Sequence, residues 1–363
     1  MAEGMLPGGP GELTAEWLTA SLRETGTISG GTTVASFEAG TIGEGEGLLG
    51  QLARVKLGYE GATGNEPETL VAKFPSEVEG NRDLANLFHF YEREVRFYDE
   101  IAEEVELRTP KRYFSRWDAE RGVFVLLMED MNPARVGNQV TGCPPDEAGQ
   151  TLERMARFHA TWWESPKLAD LEWMPHGNDP IHQSAQQAYQ DAWPAFVENF
   201  GKRLSAKAMS AAERLAPKII DIQHAITKTP MTICHGDLRY DNLFFSPGEM
   251  AVADWQIVLK GRSAYDVGYF MSQSVNPEDR KACEMDVLHR YHDTLKEHGV
   301  SGYSFDELMS DYRACAMYCL VYPVISGGGL DLANERGVAL VTAMLDRSVA
   351  TIVDLDCDEM IPA

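Results

Sequence analysis

Basic residues are scarce in this chain. Its 363 residues carry 32 Lys and Arg against 56 Asp and Glu, a formal net charge of −24. Binding a nucleic-acid backbone rests on clustered Lys and Arg, so no nucleic-acid partner is expected. The acidic excess either draws in a cationic ligand or simply keeps the protein soluble. Long apolar runs are also missing. No stretch approaches the roughly 18 residues that a membrane helix needs; the richest, residues 314–325, contains Tyr318, Tyr322 and Pro323. The opening MAEGMLPGGPGELT has no basic segment leading into an apolar one, which argues against a signal peptide. Paired cysteines are absent too. Cys143, Cys234, Cys283, Cys315, Cys319 and Cys357 form no CxxC, so neither a zinc site nor a disulfide framework is signalled. Cys315 and Cys319, four apart in an apolar stretch, read as core. Reduced thiols in a cytoplasmic protein are the expectation.

What is present is the composition of a globular protein, 44% apolar and 24% charged, in a chain long enough for two lobes. Residues 13–23 predict a helix with Thr14 as its cap. Residues 34–39, 52–59 and 69–74 predict strands; Ala53, Val55, Leu57 and Tyr59 alternate onto one face of the second. Residues 82–104 predict one helix, with Leu84, Leu87, Phe88, Tyr91, Val95, Tyr98 and Ile101 on its stripe. Strands over 111–114 and 123–128 follow. Past Pro133 the pattern is mainly helical: 145–163, 184–200, 206–226 and several helices between 279 and 355. Three short apolar runs, 231–234, 243–245 and 250–253, interrupt them as strands. The fold class is therefore α+β, with an antiparallel-sheet lobe carrying one helix over residues 1–131 and a mostly helical lobe over 132–363.

The strongest chemical signal is His235-Gly236-Asp237-Leu238-Arg239-Tyr240-Asp241-Asn242, followed by Asp254-Trp255-Gln256. Phosphoryl transfer asks a protein for a carboxylate at the acceptor hydroxyl, metal ligands at the phosphates and a fixed cation. Asp237 supplies the first, as catalytic residue. Asn242 and Asp254 offer hard oxygen ligands to magnesium, and His235 braces the loop. The competing reading is a plain hairpin whose Gly-Asp and Asp-Asn are turn residues. Lys73 is a lone cation in the apolar strand Leu70-Val71-Ala72-Lys73-Phe74, where burial without an anion is costly. It needs a carboxylate and a phosphate; Glu94 falls on the helix stripe and Glu92 falls off it. The tip around Gly45 and Gly47 either approaches phosphates through its amides or is a flexible hairpin. The exit Glu129-Asp130-Met131 either presents backbone groups to adenine or is a surface turn. Asp266 reads as structural, an N-cap or an internal brace.

Together these segments resemble the aminoglycoside phosphotransferase and choline kinase superfamily, above all its ecdysteroid-kinase-like branch. The likeness rests on His235 to Asn242, on Asp254-Trp255-Gln256, on Glu94-Val95-Arg96-Phe97-Tyr98 and on Leu127-Met128-Glu129-Asp130-Met131. It implies a bilobal protein-kinase-like fold with ATP in a cleft, Asp237 as catalytic residue, Asn242 and Asp254 as magnesium ligands, and Lys73 on the nucleotide phosphates. The expected activity is ATP- and magnesium-dependent transfer to a hydroxyl of a small, partly apolar metabolite. An aminoglycoside acceptor and a non-catalytic nucleotide-binding module are the alternatives. The loop interior, Leu238 to Asp241, looks more like bacterial members than like insect steroid kinases, and branch does not determine substrate.

Overall fold

The computed structural model describes residues 5–43 and 49–363. Its chain divides into one unit made of Met1–Ala134 with Ala251–Ile257 and another made of Arg135–Met250 with Val258–Ala363.

In the first unit, α1 (Ala15–Glu24) starts where the Thr14 hydroxyl accepts the Trp17 N–H at 3.1 Å, satisfying one of the donors that a helix start leaves orphaned. There follow β1 (Thr33–Ile42), β2 (Gly50–Glu60), β3 (Thr69–Pro75), α2 (Glu79–Leu87), α3 (Phe90–Glu100), β4 (Arg112–Asp118) and β5 (Val123–Glu129). The five strands form an antiparallel sheet in the order β1-β2-β3-β5-β4. Alternation puts Ala53, Val55 and Leu57 of β2 and Leu70, Ala72 and Phe74 of β3 into one core with Trp17, Leu18 and Leu22 of α1.

The helix predicted over 82–104 is two helices. His89 takes a left-handed backbone, φ 56°, between α2 and α3. The turn aims Tyr91, Glu94, Val95 and Tyr98 inward, whereas Leu84 and Leu87 of α2 remain 44% and 65% exposed. A stripe counted at three- and four-residue steps cannot register such a change of axis. Residues 251–257 add Trp255, whose ring stacks on Phe97 of α3 at 3.9 Å and 6°. Phe97→Leu removes the ring pair while keeping an apolar side chain. The unfolding free energy of this unit, measured in urea, should fall by about 1 kcal/mol; no change would mean that the stack adds nothing beyond burial.

The second unit runs β6 (Arg135–Val136), α4 (Pro145–Trp162), α5 (Pro180–Phe200), α6 (Ala206–Leu215), α7 (Ile219–Ile226), β7 (Thr232–Cys234), β8 (Leu243–Ser246), β9 (Glu249–Val252), β10 (Leu259–Gly261), α8 (Ala264–Ser274), α9 (Pro277–Glu297), α10 (Phe305–Cys319), α11 (Val321–Gly328) and α12 (Glu335–Asp354). Within β9 the chain passes into the first unit, to which residues 251–257 belong. The helix predicted over 206–226 is likewise two, interrupted at Pro217, which has no N–H to continue the ladder. Cys315 and Cys319 of α10 are fully buried and unpaired by disulfide. Among the described residues no helix is long and apolar enough to cross a membrane.

Candidate functional site

Two groups of polar side chains stand out, one in each unit. In the first unit, Lys73 lies on β3, which has β2 on one side and β5 on the other, and it is 8% exposed. Burial of a cation at that position requires anions. Its ammonium lies 2.8 Å from the carboxylate of Glu94 and 2.8 Å from Oδ1 of Asp254. Burial pulls the Lys73 pKa down, but Asp254 and Glu94 outweigh it and hold the ammonium well above its usual range. Burial also pushes the Glu94 carboxyl up; Lys73 opposes this and the charge of Asp254 adds to it. Two carboxylates thus share one ammonium. Asp254 sits just past β9 in a left-handed conformation, φ 67°, one that Asp adopts more readily than most residues.

Beside this group, the Glu129 side chain is already committed. Its carboxylate accepts from Arg108 at 2.6 and 2.7 Å and from the Lys111 N–H at 3.0 Å. The Glu129 N–H donates to the Lys111 carbonyl at 2.8 Å, and the Met131 carbonyl accepts from the Ala134 N–H at 2.7 Å. Gly45 and Gly47, predicted to approach phosphates, lie outside the described residues.

In the second unit the segment after β7 carries Asp237. Gly236 adopts φ 86°, a conformation that L side chains resist, and this turns the backbone so that Asp266 of α8 can reach it. Asp266, fully buried, accepts the His235 N–H at 2.7 Å and the Gly236 N–H at 3.0 Å, with His159 Nε2 at 3.1 Å. His235, also fully buried, accepts the Asp237 N–H on Nδ1 at 3.2 Å. A charged acceptor with three donors is the strong form of buried hydrogen bonding. Asp266 is therefore an internal brace, and it caps no helix.

Asp237 itself is 8% exposed. Its Oδ1 accepts from Arg239 Nε at 2.9 Å and from the Tyr269 hydroxyl at 2.9 Å. The Asn242 amide nitrogen donates to the Asp237 carbonyl at 2.9 Å. That use of its nitrogen leaves the Asn242 amide oxygen as an acceptor, a hard ligand suited to magnesium. Asp241, between them, accepts the Gln139 N–H at 2.7 Å, and the Gln139 side chain accepts the Tyr240 N–H at 2.9 Å. The loop is held from both sides. Among the described residues no group of three or more His, Cys, Asp or Glu side chains is gathered to bind an ion.

The description of the ecdysteroid kinase-like family matches residues 44–300, which include Lys73, Glu94, Asp237, Asn242 and Asp254. The chain belongs to that family. It is an enzyme of the kinase type, a small-molecule phosphotransferase. No curated protein matches it by sequence. Among solved structures, it is similar to a Ralstonia eutropha JMP134 protein assigned as an aminoglycoside phosphotransferase, at 14% identity and a TM-score of 0.55 over 95% of this chain and 98% of that one. It is also similar to choline kinase from Cryptosporidium parvum Iowa II, at 10% identity and a TM-score of 0.53 over 88% and 91% of the two chains. A third similar structure is the GDP and kanamycin complex of APH(2")-IIia, at 14% identity and a TM-score of 0.52 over 91% and 97%. At these identities the likeness is one of fold.

For this ecdysteroid kinase-like chain, the sequence pattern singled out Lys73, Glu94 and Asp254, which the structure gathers around one ammonium, and Asp237 and Asn242, which it gathers in one loop. Three side chains of the second group escaped it. Tyr269 and Gln139 touch Asp237 or the backbone of its loop from positions outside the motif, and Arg239, inside it, was given no role. Tyr269 alone had a usable signal: it stands one turn beyond Asp266 on a helix that is buried on every side.

Proposed function

We propose that this kinase transfers the γ-phosphoryl group of ATP to a hydroxyl of a small, partly apolar metabolite. The observation that carries the reading is the buried Lys73 ammonium shared by Glu94 and Asp254 at 2.8 Å from each, since a cation so held is a ready partner for phosphate oxygens. In this reading Lys73 grips the nucleotide phosphates and Glu94 holds Lys73 in place. Backbone groups around Glu129 and Met131 take the adenine. A similar structure binds GDP, which supports a purine nucleotide as donor.

Asn242 and Asp254 would hold magnesium, and both present hard oxygens as that ion prefers. Bound there, the ion would offset the charge of the phosphate oxygens. Asp237 takes the proton of the acceptor hydroxyl as its oxygen forms the new bond to phosphorus, and ADP leaves with the electron pair of the broken bond. Arg239 and Tyr269 occupy Oδ1 of Asp237, which leaves Oδ2 as the oxygen for that proton.

The reading is tested by isothermal titration with magnesium-ATP and a mass-spectrometric screen for phosphate gained by pooled alcohols, steroids, acyl-CoA derivatives and aminoglycosides. Binding with a phosphorylated product is the expected result, and its mass names the acceptor class. An absence of nucleotide binding would remove the reading. Asp254→Ala should weaken magnesium-ATP binding by at least about tenfold, read in the same titration. An unaltered magnesium dependence would take Asp254 out of the metal site.

A further inference from the structure

One face of α8 grips three consecutive residues of the catalytic loop. Asp266 holds the N–H groups of His235 and Gly236, and one turn later the Tyr269 hydroxyl donates to the side chain of Asp237 at 2.9 Å. Residues three apart on a helix share a face, so both contacts come from a single rigid support. That support is pressed against α10: a Cβ at Gly268 would lie 2.7 Å from the Cβ of Cys315. Tyr269 is 3% exposed, with its ring 4.8 Å from that of Tyr322.

The distribution of donors over the two carboxylate oxygens is unequal. Oδ1 of Asp237 accepts two bonds of 2.9 Å, from Arg239 and from Tyr269. Among the described residues Oδ2 meets only the Asn242 amide nitrogen, at 3.4 Å, near the outer limit of a hydrogen bond. The terminal torsion of an Asp side chain is soft and close to two-fold. One contact from Arg239 leaves the carboxylate able to turn about it, and the Arg239 side chain is itself 23% exposed. A second contact from a buried helix stops that rotation. Burial, with the charge of Asp237 added, raises the Tyr269 pKa well above its usual value, so the hydroxyl keeps its proton and remains a donor.

We infer that Tyr269 is a positioning residue of this kinase: its hydroxyl, together with Arg239, locks the Asp237 carboxylate with Oδ2 presented as the proton acceptor. The inference rests on the proposed role of Asp237. A carboxylate free to rotate spends part of its time misaligned with the acceptor hydroxyl, and misalignment at a reacting centre is costly.

Tyr269→Phe removes the hydroxyl and keeps the ring. ADP release from magnesium-ATP is followed in the presence of the pooled alcohols, in the full chain and again in an Asp237→Asn background. The expected result is a kcat lower by about 10-fold to 100-fold, a KM for ATP within about twofold and an unchanged melting temperature. In the Asp237→Asn background the added Tyr269→Phe should cost nothing more, because the effects of residues that act as a unit do not add. A packing defect would lower the rate equally in both backgrounds, and that result would overturn the inference. So would a Tyr269→Phe rate equal to wild type while Asp237→Asn is slow. If Asp237→Asn retains the full rate, the role of Asp237 falls and the inference falls with it. A crystal structure of Tyr269→Phe gives an answer independent of turnover: a rotated or divided Asp237 carboxylate supports the lock, and a single unchanged orientation refutes it.

Discussion

Asp237→Asn should lower phosphate transfer by about 10²-fold to 10⁴-fold, the range that a positioned general base contributes. Affinity for magnesium-ATP should remain within about threefold, because the role proposed for the carboxylate is on the acceptor side of the reaction. Asn has the same shape as Asp, and its amide oxygen can still accept from Arg239 and Tyr269, which lie 2.9 Å from Oδ1. What is lost is the second oxygen: the amide nitrogen that replaces it cannot take up a proton. Single-turnover product formation followed by mass spectrometry, paired with the nucleotide titration, separates the two effects. A collapse of ATP affinity with an unaltered rate would move Asp237 from the acceptor to the nucleotide.

Asp266→Ala should destabilise the second unit by about 3 kcal/mol or more, since it leaves three buried donors unsatisfied at about 1–3 kcal/mol each. The substitution strands the N–H groups of His235 and Gly236, 2.7 and 3.0 Å from the missing oxygens, together with His159 Nε2 at 3.1 Å. All of these lie where water does not reach, so each lost partner is felt in full. Asp266→Asn keeps one acceptor but turns an amide nitrogen toward a donor, and it should fall between wild type and Asp266→Ala. Urea unfolding monitored by far-UV circular dichroism measures both variants. A loss below about 1 kcal/mol for Asp266→Ala would contradict the brace.

How much of this was legible beforehand depended on the range of each interaction. Among the strands of the first unit β2 announced itself by alternation and β3 and β5 by short apolar runs, and the chemistry-bearing segment by the spacing of Asp237, Asn242 and Asp254. The contact of Lys73 with Glu94 followed from one rule, that a buried cation needs an anion, applied to the only glutamate on the helix stripe that could reach inward. The breaks at His89 and Pro217 were illegible for different reasons. Pro217 was visible, yet it stood inside an apolar pattern that continued past it. His89 is an ordinary residue, and nothing in its side chain announces its left-handed backbone, φ 56°.

The sequence by itself determined the family and, with it, the sheet and helix content and the residue types available for phosphoryl transfer, because these are carried by short segments with local periodicity. Tertiary structure alone decided which partners those residues keep. Asp254 rather than a second helix residue completes the shell of Lys73 across 181 positions of chain, and Tyr269 reaches Asp237 across 32. Such pairings come from how buried elements stack, and a linear pattern holds no record of which side chains burial will bring within 3 Å of one another.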